Sequence, residues 1–323
     1  MKILLSFLLS LLLLFSCRKN NADKPAEQVE TWKQFTTAGS GIPDNQVNAI
    51  AIGKDDRKWV GTSHGLALYH LNQWQSFTTG NSSIPSDNVL CLAAGEDGLL
   101  WIGTDNGLAT FDGVSWTVYN KDNSELPVNA VMSLHHDQRN HITWVGTAAG
   151  LVQIENGHWF VDDTFVGDLI LSMTSGEEGE LWMGTFNHFN FRGRLQRYQD
   201  GVRRVWQLAD LGYESTFVYD LDLDNQNRPV ATLTGTAVSA VVRLEGDRWN
   251  ELPRHAEAGA VRMLALENSR VWVGGTQLDL YGSETGCVKI PAGSPVVLSM
   301  AVDAQGYKWI GTAGDGLFRY HEK

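Results

Sequence analysis

Basic residues are in short supply. The 323-residue chain carries 25 Lys and Arg against 37 Asp and Glu, for a net charge of −12. That balance argues against nucleic acid as a partner, because phosphate backbones are held through clustered cations. It equally weakens docking on anionic lipid through basic side chains. Long apolar runs are scarce too: beyond Phe15 no stretch approaches the roughly 18 residues of a spanning helix. Gly-x-Ser-x-Gly, the phosphate-binding loop and His-Glu-x-x-His are all missing, so the common hydrolase, nucleotide and zinc-protease signatures are excluded. No cofactor is expected. Cysteine is limited to Cys17, Cys91 and Cys287. The last two fall in repeats that are not neighbours, and both read as unpaired.

What is present begins with the N-terminus. Lys2 precedes an apolar run, Ile3 to Phe15, of signal-peptide length. It ends in Leu14-Phe15-Ser16-Cys17, which resembles the lipobox of bacterial lipoproteins. The resemblance implies removal of residues 1–16 and lipidation of Cys17, and two or more acyl chains are enough for stable anchoring. An ordinary signal peptide with a chance Cys is the alternative. Residues 17–31 then form the lipidated Cys and a polar tether. Arg18, rather than an Asp, follows the Cys, which points to the outer membrane.

Gly 33 and Trp 12 are both abundant, and the Trp recur. The tetrads Trp59-Val60-Gly61-Thr62, Trp101-Ile102-Gly103-Thr104, Trp144-Val145-Gly146-Thr147, Trp182-Met183-Gly184-Thr185, Trp272-Val273-Gly274-Gly275 and Trp309-Ile310-Gly311-Thr312 repeat every 40 residues or so. One double gap holds Pro229-Val230-Ala231-Thr232, a worn seventh copy. Each tetrad follows a shorter element such as Val47-Asn48-Ala49-Ile50, whose third place is small in five copies: Ala49, Cys91, Ser133, Ser172 and Ser299. That fits an innermost strand, where volume is least. A third segment (Gly65 to Tyr69) and a Trp-led fourth (Trp74 to Phe77) complete a four-stranded unit, A to D. Residues 32–323 therefore read as an all-β, seven-bladed propeller. Trp32 to Phe35 is a D strand lacking A to C before it, and Gly316 to Tyr320 a C strand lacking D after it. The N-terminal strand should complete the last blade. All twelve Trp then serve blade packing.

The run Ile42-Pro43-Asp44-Asn45, Val47 to Ile50, Trp59 to Thr62, Gly65-Leu66 resembles the two-component-regulator propeller repeat, and recurs from Ile84-Pro85 and Leu126-Pro127. The resemblance implies an extracytoplasmic sensing propeller. A membrane span and kinase, usual in such receptors, are not expected here, so it implies a fold and a binding style.

Function must come from sites, because propellers host binders and enzymes alike. The B–C loop of blade four, Phe186-Asn187-His188-Phe189-Asn190-Phe191-Arg192-Gly193-Arg194, is long and aromatic where its sisters are short and polar. Aromatic faces beside amides suit sugars, peptides or small amphipathic ligands. Asn187, His188, Phe189, Phe191 and Arg192 are the candidate contacts, with Tyr213 alongside and His64, Asp105 and Asn106 as further positions on that face. The alternative is that the Phe side chains merely cap the ring. Asp220-x-Asp222-x-Asp224 imitates a calcium loop but in register is the end of strand A and the A–B turn, where sister copies carry ordinary acidic turns; His135-His136 with His141 reads as a solvated turn; no metal is expected. The leading expectation is a membrane-anchored binding lipoprotein for a small molecule or glycan. An interaction platform for another envelope protein is the alternative. A lyase using His188 and Arg192 ranks third.

Overall fold

A computed structural model describes residues 31–322, apart from 96, 166, 214–215, 236–238, 255–260, 283–285 and 292–294. The signal peptide, Cys17 and the tether lie outside the described residues. The repeats become seven antiparallel four-stranded sheets. Blade one is typical, with strands Val47–Ile52, Lys58–Thr62, Gly65–His70 and Gln73–Phe77 in that spatial order. Blade seven takes Val297–Val302, Lys308–Thr312 and Leu317–His321 from the end of the chain and Thr31–Phe35 from its start. There Trp32 pairs with Tyr320 and Phe35 with Leu317, so the expected clasp is formed. No helix among the described residues is long and apolar enough to cross a membrane.

The tetrad follows from blade-to-blade contact. A Cβ on Gly61 would fall 2.5 Å from the Val89 side chain of the next blade, and one on Gly311 would fall 2.5 Å from Val47. Only glycine admits so close an approach. The tetrad Trp is buried (Trp272 and Trp309 almost completely) and reaches across the same interfaces. Trp59 meets Phe111 edge-on at 6.0 Å, and Trp182 meets Trp249 at 6.4 Å. The small third residue of strand A ties neighbouring blades by donating to a carbonyl of the next: Ser133 Oγ to Ile170 O at 2.7 Å, Ser299 Oγ to Val47 O at 3.3 Å. Cys91 Sγ makes the same contact with Val131 O at 3.6 Å, and burial pushes its thiol up. Cys91 is thus a packing residue, and no disulfide joins it to Cys287.

Two expectations need correction. In blade five Asp220 pairs with Thr232 and Val218 with Leu233, so the worn tetrad is Val230 to Leu233, one residue later than the sequence alignment placed it. Thr232 stands in the glycine place, and its Oγ1 donates to Arg262 O at 2.7 Å. As expected, Asp220 and Asp222 lie at the end of strand A (Phe217–Leu223), and Asp224 follows it. His135 and His136, expected in a turn, lie in a strand, Val131–Asp137. His135 Nε2 accepts from Ser175 N at 3.0 Å between blades, and burial pulls its pKa down to about 4.

Candidate binding face and axial channel

The start of strand A, the D–A loops and the B–C hairpins share one face of the ring. On this face the second residue of strand A is out of step. The ladder slips between Val47 and Ala49, Val89 and Cys91, Val131 and Ser133, Ile170 and Ser172, Val218 and Asp220, and Val297 and Ser299. A bulge of this kind re-aims one side chain. Here it turns Asn48, Leu90, Met132, Tyr219 and Leu298 towards the axis, where with Arg262 and Met263 they line a mouth of about 260 Å³. The wall is mainly apolar. Arg262 lies with its guanidinium 5.2 Å from the centre of the Tyr219 ring. Asn48 donates its amide to Val89 O at 2.9 Å, the contact that Ala49 has no hydroxyl to make.

Below the mouth a further cavity of about 210 Å³ follows the axis between the small residues, Ala49, Cys91, Ser133, Ser172 and Ser299. Asp220 occupies the corresponding place in blade five and Met263 in blade six. Asp220 accepts from Leu221 N at 2.9 Å and Leu264 N at 3.0 Å. Burial, reinforced by the charge of Asp222, raises its pKa to about 7 despite those bonds. Asp222 instead accepts from Thr174 Oγ1 at 3.2 Å, and Asp224 binds Arg228 at 2.6 Å. The three carboxylates of the calcium-like run thus serve three different partners.

The blade-four segment differs from the expected open loop. Strand B extends to Asn187 and strand C starts at Arg192, which leaves only residues 188–191 as the turn. Phe186 is buried and stacks on Phe217 with ring centres 4.1 Å apart. Beneath the hairpin, buried Asp168 accepts from Arg194 at 2.8 Å and from Asn187 at 2.7 Å. Asn187 Oδ1 in turn accepts from the backbone of Phe189 and Asn190 at 3.1 and 3.2 Å. Asn187 is therefore a brace of the turn, buried at 8% exposure. Phe189 and Phe191 are 70% and 67% exposed, so they do not cap the core. The Phe189 ring is so near Gly167 that a Cβ there would fall 2.3 Å from it, and the His188 ring centre is 4.2 Å away; Arg192 is exposed at the start of strand C.

The remaining candidates are scattered. His64 pairs with Asp44 at 2.8 Å; Asp105 accepts from Asn88 and Asn106 from Asn129, all around the exposed rim of blades one to three. Tyr213 turns its hydroxyl to Glu251 at 3.0 Å and packs against the core of blades four and five. Sequence reasoning gathered these residues with the hairpin; the structure gathers the strand-A second residues instead. Their signal was available. In every copy a large or polar second residue (Asn48, Leu90, Met132, Leu171, Tyr219, Arg262 or Leu298) sits between a Val or Ile and a third residue that is small in five copies.

Comparison with known proteins agrees with this architecture. The chain superposes on a streptogramin B lyase with a TM-score of 0.75 at 13% identity, over 91% of this chain and 98% of that one. The extracellular domain of a putative hybrid two component system from B. thetaiotaomicron gives 0.73 at 14% identity, over 90% of this chain; the match spans 42% of that longer domain. YCF48 bound to D1 peptide gives 0.66 at 11% identity, over 90% and 96%. At such identities the likeness is one of fold. No curated protein matches the chain by sequence. The family model of the two component regulator propeller matches residues 83–106, strands A and B of blade two with their approach. The chain is therefore a seven-bladed propeller in which blade two matches the two component regulator propeller repeat.

Proposed function

We propose that this is an extracytoplasmic binding propeller of the sensor kind, held to the outer membrane through lipidated Cys17, whose small-molecule ligand enters the axial mouth. One observation carries the reading. Six blades bulge at the same place, and five of the bulges bring Asn48, Leu90, Met132, Tyr219 and Leu298 together on one mainly apolar mouth. Large side chains aimed at an open cavity, rather than into the seams between blades, are placed to meet a ligand. The extracytoplasmic location is supported by the leader sequence and by the likeness to an extracellular sensor domain. A thermal-shift screen of small metabolites against the mature chain tests the mouth. Leu90→Arg, which copies the Arg262 place of blade six, should abolish any hit while leaving the unliganded melting temperature within a few degrees. Mass spectrometry of the mature N-terminus tests the anchor: an unmodified Cys17 in a soluble fraction would refute it.

A second reading rests on the hairpin. Two exposed Phe on a turn braced by a buried ion pair suit a partner that lies across the face, either a sugar ring or a protein of the envelope. Losing binding in Phe189→Ala with Phe191→Ala, but not in Leu90→Arg, would favour it.

A further inference from the structure

The axial channel holds one carboxylate among small and apolar side chains, and the group beside it is also out of pattern. In blades three and seven the strand-A serine donates to the next blade's carbonyl. Ser172 of blade four does not. It is buried, lines the channel next to Asp220 in the ring, and its Oγ makes no hydrogen bond within the protein. Asp220 and Ser172 thus occupy the same strand position on adjacent blades, both lining the channel. Both can accept. Above them the walls are the side chains of Leu90, Met132 and Tyr219, which line the mouth and the channel alike.

Resting on the reading that ligand enters through the mouth, we propose that the channel takes a primary ammonium group carried on an apolar stem, with Asp220 and Ser172 as its acceptors. An ammonium has three donors and no acceptor, which matches this pair. The stem replaces water along the Leu and Met wall, and burying it there is favourable in proportion to its area. The chain's net charge of −12 raises the local concentration of cations as well. Arg262 sets the opposite requirement at the rim. A bare cation gains little there, whereas a stem that ends in an acidic group meets the guanidinium over Tyr219. The favoured ligand is therefore an amine and an acid separated by a short aliphatic stem, whether free in solution or as the side chain of a peptide.

Calorimetric titration of the full chain with ε-aminocaproate, hexylamine and caproate separates these contributions. The expected order of affinity is ε-aminocaproate, then hexylamine, then caproate. Asp220→Ser restores the residue type of the sister blades, so folding should be unharmed. It should weaken both amines by about tenfold or more, as the loss of a hydrogen bond to a charged group does, and leave caproate unchanged. Ser172→Ala should weaken the amines severalfold. A lysine-bearing peptide competing with ε-aminocaproate would identify the side-chain source, and its failure to compete the free amino acid. Caproate binding as tightly as ε-aminocaproate, or amines binding Asp220→Ser as well as wild type, would overturn the ammonium site. If amines bind but Leu90→Arg does not block them, it is entry through the mouth that fails.

Discussion

Asp220 puts an ionisable group where five of its sister blades carry a small residue. Its carboxyl keeps its proton in the folded chain up to about pH 7, while in the unfolded chain it ionises near its ordinary value. Stability therefore falls as pH rises from about 4 to about 7, then levels off, because over that range the unfolded state alone gives up the proton. Asp220→Ser should remove this slope. Urea unfolding at pH 4 and pH 8 should show the variant more stable than wild type at pH 8, by on the order of 1–4 kcal/mol, and little different at pH 4. Asp220 was visible in the sequence as a strand-A residue that breaks the run of small third places, but its burial on the axis was not. Strand alternation cannot reveal that a bulge precedes it, and Thr232 in place of glycine slid the tetrad alignment by one.

The blade-four hairpin shows the same limit one level up. Its departure from the short sister loops was legible; its extension into two paired strands was not, because that depends on Asp168, which lies in strand A twenty-odd residues before Arg194 and Gln196. Once Asp168 gathers Arg194 and Asn187, the hairpin is a stiff element that presents two rings to solvent. Phe189→Ala and Phe191→Ala should each cost only about 0.5 kcal/mol, as exposed substitutions do. Phe186→Ala, which empties a stack against Phe217, should cost about 3–5 kcal/mol. Asp168→Ala should cost as much, since it leaves the partly buried Arg194 without its counter-charge. Melting curves of the four variants distinguish this arrangement from one in which all three Phe cap the core.

For the whole ring, closure is concentrated around blades six, seven and one. Beside the N-terminal clasp, two nearly buried lysines cross the interfaces: Lys308 of blade seven reaches Glu267 of blade six at 2.9 Å, and Lys58 of blade one reaches Asp303 of blade seven at 3.3 Å. Blades two and four carry buried Leu100 and Leu181 at the corresponding place. Burial alone would raise the Glu267 pKa, but hydrogen bonds from Lys308 and Trp272 hold it below its ordinary value. This contribution is present at neutral pH and is lost as pH falls through the lowered folded value. Lys308→Met should cost about 3–5 kcal/mol at pH 7 and much less near pH 3. Removing residues 31–35 with the tether should lower the melting temperature by about 10 °C or more, as it strips Phe35 from the Trp309 stack and bares the edge of blade seven. The blade count and the clasp were legible because both follow from repeated packing; the ion pairs were not, because they join residues of different copies and do not recur in every blade. The clasp also sets an order of events. During synthesis blades one to six can each pair as their residues emerge, but strand Thr31–Phe35 must wait, unpaired, until residue 321 has left the ribosome or the export channel. The first strand made is the last to find its partner, so every nascent chain passes through a stage with an open-edged ring, and its vulnerability to proteases and to neighbouring chains is set by how long that stage lasts.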